Sequence, residues 1–305
     1  MKYFKKNIGN HGAYAKYYLQ ERSEEIDPQR KFPTMVICPG GAFMMTSFRE
    51  DEAVALRFLD EGFNVVVVHY ATDGADNYLG KSSDQLPEKP VSLFPNSLVE
   101  LAQAVSYLKE HATDWGVNEN YICVGGFSAG ANIAAQLGVY WQEEWLEKLV
   151  GKPKELYRPT HLMLGYGAYD LSDKGNSRYT KMPEIMNYAR HALFGTIDPA
   201  EEQLDKVNPI KHISTFTPPT FLWQTAKDEV VNVQGTIDFE QALFDKNVPF
   251  EAHIFNEGGH GLSLADLRTG NDQKEVNFQV SKWLDLFIEW LAPHKSQRAT
   301  FFSAD

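Results

Sequence analysis

The stretch VGGFSAGANIAA, Val124–Ala135, places three glycines and one serine between an apolar run and an alanine-rich segment. The run that leads into it, YICVGG, has the composition of a buried strand, and a helix is predicted from about Ser128 to Lys148. The segment therefore predicts a strand, a sharp glycine-rich turn and a helix in direct succession. In this setting Ser128 is either a nucleophile exposed on the turn or an ordinary helix N-cap, and the rest of the chain has to decide between the two.

Segments typical of strands and of helices alternate along most of the chain. Short apolar runs that predict strands are AYAKYYLQ, TMVICPGG, FNVVVVHY, YICVGG, THLMLGYGAY, PTFLWQTAKDE and FEAHIFNEGGHG. Helical spacing is present in REDEAVALRFLDEG, NSLVELAQAVSYLKEHA, TIDFEQALFDKN and KEVNFQVSKWLDLFIEWLAPH. We expect Asn96 or Ser97 to cap the second of these helices. This order is typical of βαβ units, so the predicted fold class is α/β, with a parallel sheet covered by helices on both faces.

The pattern also predicts how the chain is divided into domains. No linker rich in proline or serine interrupts it, so a single domain is expected over residues 1–305. The stretch at about 170–217 is less regular and is predicted to be a small, lid-like insertion. Its aromatic and methionine side chains form either a lid, a pocket wall or, as such clusters do more often, ordinary core. They are Tyr179, Met182, Met186, Tyr188 and Phe194.

Composition and charge argue against several classes of partner. The net charge of −12 disfavours a nucleic acid or an anionic membrane as the main partner. The lysines of MKYFKKNIGN are not followed by the apolar stretch of a signal peptide, and no apolar run approaches membrane-spanning length. Cys38 and Cys123, the two cysteines, end apolar runs and are predicted to be buried free thiols. We therefore expect a cytoplasmic protein without nucleic-acid or membrane partners; nothing in the sequence indicates its oligomeric state.

A nucleophilic serine needs a base, and nine histidines are available. His260 stands out because NEGGHGLSL is a glycine-rich loop directly after the last predicted strand, where an imidazole can reach the carboxyl edge of the sheet. His69 ends a predicted strand and is a second candidate for that edge, whereas His253 lies mid-strand and His111 near a helix C-terminus. The remaining histidines have no distinguishing neighbours. They are His11, His161, His191, His212 and His294.

The acid that orients the base is expected between the serine and the histidine in the chain. Asp228, in WQTAKDEVV, directly follows the apolar TFLW run and is the preferred candidate. Its neighbour Glu229 and the strand-end residue Asp170 are rivals, since an aspartate at a strand end is often only a turn residue or a helix cap.

An oxyanion hole requires backbone N–H groups aimed at the reacting carbonyl. The amide of Ala129, directly after the serine, is one candidate. The turn CPGGAF after the Cys38 run is the other, because Gly40 and Gly41 allow the backbone to approach a substrate closely. Pro-Gly-Gly is also common in ordinary turns, so this assignment depends on the other site residues.

Four segments, PGGAF, GFSAGANIAA, PPTFLWQTAKDEVVNV and FNEGGHGLSLA, resemble the α/β-hydrolase superfamily, and within it the esterases related to hormone-sensitive lipase, acetyl-xylan esterases and similar carbohydrate esterases. The resemblance covers most of the chain. It implies an α/β-hydrolase fold with a mostly parallel, twisted sheet of about eight strands. It also implies Ser128 as nucleophile, Asp228 as acid and His260 as base, with oxyanion donors from Gly41 or Ala42 together with Ala129.

The chain departs from the family pattern at two places. Lipase-like members have His-Gly-Gly-Gly where this sequence has Pro39–Ala42, which leaves open the amide that points inward. Relatives often have a proline after the acid's loop at the position of Asn232.

The residues and the resemblance together predict a serine carboxylesterase for short acyl groups such as acetyl, with an acetylated sugar as a candidate substrate. No metal or organic cofactor is expected. Phe43, Tyr70 and Tyr166 lie just past predicted strand ends and are candidates for the substrate pocket. Two alternatives remain, a serine peptidase on the same fold and a hydrolase homologue that binds a ligand without turnover.

Overall fold

A computed structural model describes residues 1–172, 183–292 and 301–303. Its strands are β1 (Lys2–Asn7), β2 (Tyr14–Leu19), β3 (Phe32–Cys38), β4 (Asn64–His69), β5 (Val117–Phe127), β6 (His161–Gly165), β7 (Thr220–Thr225) and β8 (Phe250–Phe255). They form one sheet in the order β1-β2-β4-β3-β5-β6-β7-β8. The β1–β2 and β2–β4 pairs are antiparallel and the other pairs are parallel. The predicted α/β class and mostly parallel sheet are confirmed.

Helices cover both faces of this sheet. They are α1 (Glu52–Asp60), α2 (Asn96–Glu110), α3 (Ala129–Tyr140), α4 (Glu144–Val150), α5 (Pro183–Phe194), α6 (Glu201–Val207), α7 (Gln234–Asp245) and α8 (Trp283–Leu291). Side chains of β4 alternate between two cores, as the geometry of a strand requires. Val65 and Val67 join the core beneath α1 and α8, whereas Val66 and Val68 join the core beneath α2, α3 and α7. This explains why the run Val65–Val68 at the centre of β4 is apolar on both faces.

The boundaries of three helices differ from the sequence prediction. The helix predicted from Ser128 to Lys148 is two helices, α3 and α4, and the chain turns at Trp141, whose indole donates to the Phe216 carbonyl (3.1 Å). Pro95 occupies the N-cap position of α2 and Asn96 is its first residue, so neither Asn96 nor Ser97 is the cap. The side-chain amide of Asn96 donates instead to the Val91 carbonyl (3.0 Å).

The last helix starts later than its periodicity predicted. Asp272 and Asn277 accept hydrogen bonds from backbone N–H groups two residues ahead, which favours turns over a helix in this segment. The helix α8 therefore begins only at Trp283. The strand β1 was also not predicted, because its lysine-rich sequence lies at the edge of the sheet with mostly exposed side chains.

The stretch between β6 and β7 corresponds to the predicted insertion. Its described part contains α5 and α6. Met186 and Tyr188 are buried in the core beneath α2, α3 and α7, and Phe194 packs against that core. Tyr179 and Met182 lie outside the described residues. Within the described ranges, no helix combines the length and apolar character that crossing a bilayer requires.

Candidate active site

Ser128 occupies the turn between β5 and α3 in a backbone conformation that L-residues rarely adopt, with φ 52° and ψ −120°. The glycines on either side of it are sterically required. A Cβ at Gly126 would lie 2.3 Å from the Cys38 carbonyl oxygen, and one at Gly130 would lie 2.0 Å from the same atom. The turn therefore depends on close approach of the β3 backbone, and it presents the serine at the N-terminus of α3.

His260 and Asp228 meet Ser128 in a continuous chain of hydrogen bonds. The His260 Nε2 atom lies 2.9 Å from Ser128 Oγ, and His260 Nδ1 lies 2.7 Å from Asp228 Oδ2. Because a carboxylate can only accept, Nδ1 carries the proton in this arrangement. A neutral imidazole therefore has its Nε2 lone pair available for the serine hydroxyl.

Asp228 is fixed by several donors besides the histidine. It is 3% exposed, and its Oδ1 accepts from the N–H groups of Val230 (2.9 Å) and Val231 (2.8 Å). The Gln224 amide donates to Oδ2 at 3.3 Å. Such bonds compensate for the burial of the carboxylate and orient it toward the imidazole.

The charge environment favours the imidazolium form of His260. Burial alone would lower its pKa, but the nearby carboxylates of Asp228, Glu50 and Glu229 outweigh burial and raise the pKa above its ordinary value. A positive charge that develops on this ring during a reaction is therefore stabilised.

The rival candidates lie elsewhere or are bonded differently. Asp170 accepts from the Ser172 N–H (2.8 Å), and Glu229 is half-buried beside Gly259 without bonding to the imidazole. His69 lies between Thr46 and Asp51. The Nε2 atom of His253 lies 2.7 Å from Glu251 Oε1, and His111 stacks on Trp115.

The turn after β3 lies beside Ser128. The N–H of Gly40 already donates to Glu50 Oε2 (2.5 Å), so it is not available to a substrate. Gly41 and Ala42 follow with φ of 127° and 52° and line the same pocket as Ser128. No described residue accepts from their N–H groups. The sequence-predicted donors Gly41 and Ala42 thus lie beside Ser128, and Ala129 is the first residue of α3, directly after the serine.

A pocket of about 400 Å³ opens in front of Ser128 and His260. Its walls are mostly apolar and include Ala42, Met44, Met45, Leu79, Ile185 and Val230. Phe43, Tyr70 and Tyr166 do not line it. Phe43 is fully buried, the Tyr70 hydroxyl donates to the Pro39 carbonyl (3.0 Å), and the Tyr166 hydroxyl donates to Glu50 (2.6 Å).

Glu50 is a buried charged residue of the pocket that sequence reasoning missed. It is 3% exposed, lines the pocket, and follows Arg49 in REDEAVALRFLDEG, a segment for which the sequence predicted only a helix. An acid in the first turn of a helix is so common that its position alone gives no signal.

The sequence profile of the BD-FAE family matches residues 24–243, which is well over half of the chain. The chain belongs to the BD-FAE family. The endo-1,4-beta-xylanase B of Butyrivibrio fibrisolvens is 28% identical over 237 residues, which cover 76% of this chain and 33% of that protein. The chain thus spans only a third of the length of this curated relative.

Solved structures show the same fold over nearly the full length. The carboxylesterase Cest-2923 from Lactobacillus plantarum matches with a TM-score of 0.76 and 23% identity, over 100% of this chain and 99% of that one. The acetyl ester-xyloside bifunctional hydrolase from Caldicellulosiruptor lactoaceticus matches with a TM-score of 0.70 and 24% identity, over 92% and 88%. The α/β-hydrolase fold and the esterase/lipase resemblance predicted from the sequence are confirmed.

Proposed function

We propose that this BD-FAE member is a serine carboxylesterase that removes short acyl groups, acetyl above all, from carbohydrates. The observation that carries the proposal is the unbroken chain of hydrogen bonds from Ser128 through His260 to Asp228, beside a pocket that Ser128 and His260 line. This arrangement provides a nucleophile, a base and an orienting acid at bonding distance before any substrate arrives.

Acylation is the first half of the reaction. Ser128 Oγ attacks the ester carbonyl carbon while its proton passes to His260 Nε2, and the carbonyl oxygen becomes an oxyanion. The amides of Ala129 and of Gly41 or Ala42 bind that oxyanion. The C–O bond to the alcohol then breaks, the imidazolium gives its proton to the leaving oxygen, and the acyl group stays on Ser128.

Deacylation repeats these steps with water. His260 takes a proton from the water as its oxygen attacks the acyl carbon, and the second oxyanion binds to the same amides. Collapse of this intermediate returns the proton to Ser128 Oγ and releases the carboxylic acid. Asp228 stabilises the imidazolium in both halves and is not itself protonated.

Pocket size and relatives together support the substrate class. A volume of about 400 Å³ is toward the small end of ligand pockets, which span about 300–1,000 Å³. It suits a short acyl group together with part of a sugar better than a long acyl chain. Names of the relatives include a xylanase and an acetyl ester-xyloside hydrolase, which favours acetylated xylose-containing substrates.

An ester panel tests the proposal. We expect p-nitrophenyl acetate to be hydrolysed with a higher kcat/KM than longer-chain p-nitrophenyl esters, and acetate to be released from acetylated xylo-oligosaccharides. The Ser128→Ala variant should lose at least about 10³-fold in kcat. Turnover that survives in Ser128→Ala would contradict the proposed nucleophile, and a preference for long chains would contradict the substrate class.

A further inference from the structure

Glu50 is a buried carboxylate behind the nucleophile that the reaction above does not use. It ends a 3-10 helix at Phe48–Glu50. Its Oε2 accepts from the Gly40 N–H at 2.5 Å and its Oε1 from the Tyr166 hydroxyl at 2.6 Å. In the part of the chain that the structure describes, no lysine or arginine forms an ion pair with it, since Arg49 pairs with Glu275. Burying a carboxylate without a cationic partner is unfavourable. The presence of this carboxylate at the site therefore requires an explanation.

The bond to Gly40 fixes the start of the turn formed by residues 40–47, which contains the proposed oxyanion donors and is called the oxyanion turn below. The Ser47 N–H donates to the Gly40 carbonyl (2.8 Å), which closes the turn from its other end. Between these two points Gly41 and Ala42 have positive φ, a conformation that persists only when surrounding contacts hold it. A Cβ added at Gly40 would lie 2.9 Å from both Glu50 Oε2 and Ser128 Cβ, so this carboxylate oxygen lies close to the nucleophile.

The bond to Tyr166 connects the same carboxylate to the loop of His260. The Tyr166 hydroxyl accepts from the Ser263 N–H at 3.0 Å, three residues after the histidine. Its ring lies 5.1 Å from the His260 ring in an edge-on arrangement. Ser263 Oγ donates in turn to the Arg49 carbonyl (2.8 Å). Glu50 therefore joins the oxyanion turn and the histidine loop, which are far apart in the sequence.

The hydrogen-bond geometry fits this bridging role. Both Glu50 oxygens accept, as a carboxylate does. Burial raises the pKa of Glu50 above its ordinary value, and the hydrogen bonds from the Tyr166 hydroxyl and the Gly40 amide offset only part of that rise. Burial and the charge of Glu50 keep the pKa of Tyr166 well above its ordinary value, so its hydroxyl remains a donor. The charged and titratable groups around His260 in the described part of the chain are the carboxylates of Asp228, Glu50 and Glu229, the Tyr166 phenol, and Arg49, which donates to the Gly261 carbonyl (3.3 Å).

We propose that Glu50 is a positioning residue that holds the oxyanion turn and the His260 loop in register around Ser128. The inference rests on the proposed esterase reaction, in which both parts must act on one carbonyl group. A misplaced oxyanion donor weakens transition-state binding more than ground-state binding, so the effect belongs in kcat.

The Glu50→Gln variant tests this role. Glutamine keeps the shape but can accept at only one of the two positions, because its NH₂ group meets a donor at the other. We expect kcat to fall about 10–100-fold, with KM changed less than about 2-fold. The acid limb of kcat/KM should also move to lower pH, because a negative charge near His260 is lost.

Glu229→Gln is the matched control, since Glu229 faces the same imidazole but does not bond to the oxyanion turn. We expect its acid limb to move to lower pH while kcat stays within about 2-fold of wild type. Equal losses of kcat in the two variants would overturn the positioning role, since Glu50 would then act through its charge alone.

Two further variants keep the test decisive if Glu50→Gln does not fold. Glu50→Asp keeps the charge but is one methylene too short for both bonds, and Tyr166→Phe removes only the link to the histidine loop. We expect each to lower kcat at least about 5-fold without raising KM. Wild-type kcat in either would overturn the proposal, whereas lack of hydrolysis by the wild type would contradict the esterase function itself.

Discussion

His260 determines how the activity should depend on pH. Burial lowers the pKa of His260, whereas the carboxylates of Asp228, Glu50 and Glu229 raise it. The net effect is a pKa above the ordinary value of 6.5. The base must be neutral, so activity is lost as the pH falls through this raised value. We predict an acid limb of kcat/KM with an apparent pKa above 6.5, measured between about pH 5 and about pH 9. A constant rate down to about pH 5.5 would be inconsistent with His260 as the base.

Asp228 and Asp170 are the two strand-end candidates for the acid that orients His260. Asp228 holds Nδ1 of His260 at 2.7 Å, whereas Asp170 accepts from the backbone of Ser172. An asparagine at position 228 can present its NH₂ group to the imidazole and thereby favour the wrong tautomer. We predict that Asp228→Asn lowers kcat by about 10⁴-fold and that Asp170→Asn changes it less than about 3-fold. Similar rates in the two variants would refute the assignment of the acid.

Residues of the site could be predicted from the sequence only where a local sequence pattern marks them. Ser128, Asp228 and His260 were predicted because each lies in a short segment with its own signal, namely a glycine-flanked turn or a strand end. Glu50 has no such signal, because its partners Gly40 and Tyr166 are brought to it only by the fold. For the same reason Tyr166 was expected in the pocket and lies behind it.

The turn between β5 and α3 determines whether the serine is exposed at all. A Cβ at Gly130, the second residue of α3, would lie 2.0 Å from the Cys38 carbonyl oxygen and 2.5 Å from that of Pro39. Both neighbours are backbone atoms, so the clash is relieved only by moving the backbone of the chain on one side of the contact. We predict that Gly130→Ala lowers the free energy of unfolding by at least about 3 kcal/mol, measured by urea denaturation.

Gly235→Ala provides the matched control for that prediction. Gly235 is likewise the second residue of its helix, α7, but a Cβ there would lie 3.8 Å from Tyr169 Cδ2, an ordinary contact. We expect this variant to change stability by less than about 1 kcal/mol, in the stabilising direction. Equal unfolding midpoints for the two variants would show that the turn does not depend on glycine.

Strands were easier to predict than helix ends, for a physical reason. The central runs of buried strands such as β3 and β4, Met35–Cys38 and Val65–Val68, are apolar on both faces, and this leaves a direct trace in the sequence. The ends of α3 and α8 depend instead on tertiary and local polar contacts, such as the bond from the Trp141 indole and the turns at Asp272 and Asn277. Periodicity cannot show where these contacts end a helix.

Across the chain, the site is assembled from loops at the carboxyl edge of the parallel strands. The oxyanion turn follows β3, Ser128 follows β5, Asp228 follows β7 and His260 follows β8. These strands are neighbours or near neighbours in the sheet, so their ends converge on one pocket. The alternation of strands and helices predicted this convergence. It did not predict the pocket's walls, which come from segments such as Leu79 and Ile185 outside the motifs.

Covalent labelling tests the central claim, that Ser128 is an activated nucleophile, most directly. A serine-directed organophosphonate should form one adduct per folded chain, and peptide mass spectrometry should locate it on Ser128. The Ser128→Ala variant should form none, and the adduct should appear in step with the loss of p-nitrophenyl acetate hydrolysis. A folded, active wild-type protein that remains unlabelled at Ser128, or that is labelled on another serine as its activity disappears, would contradict the account.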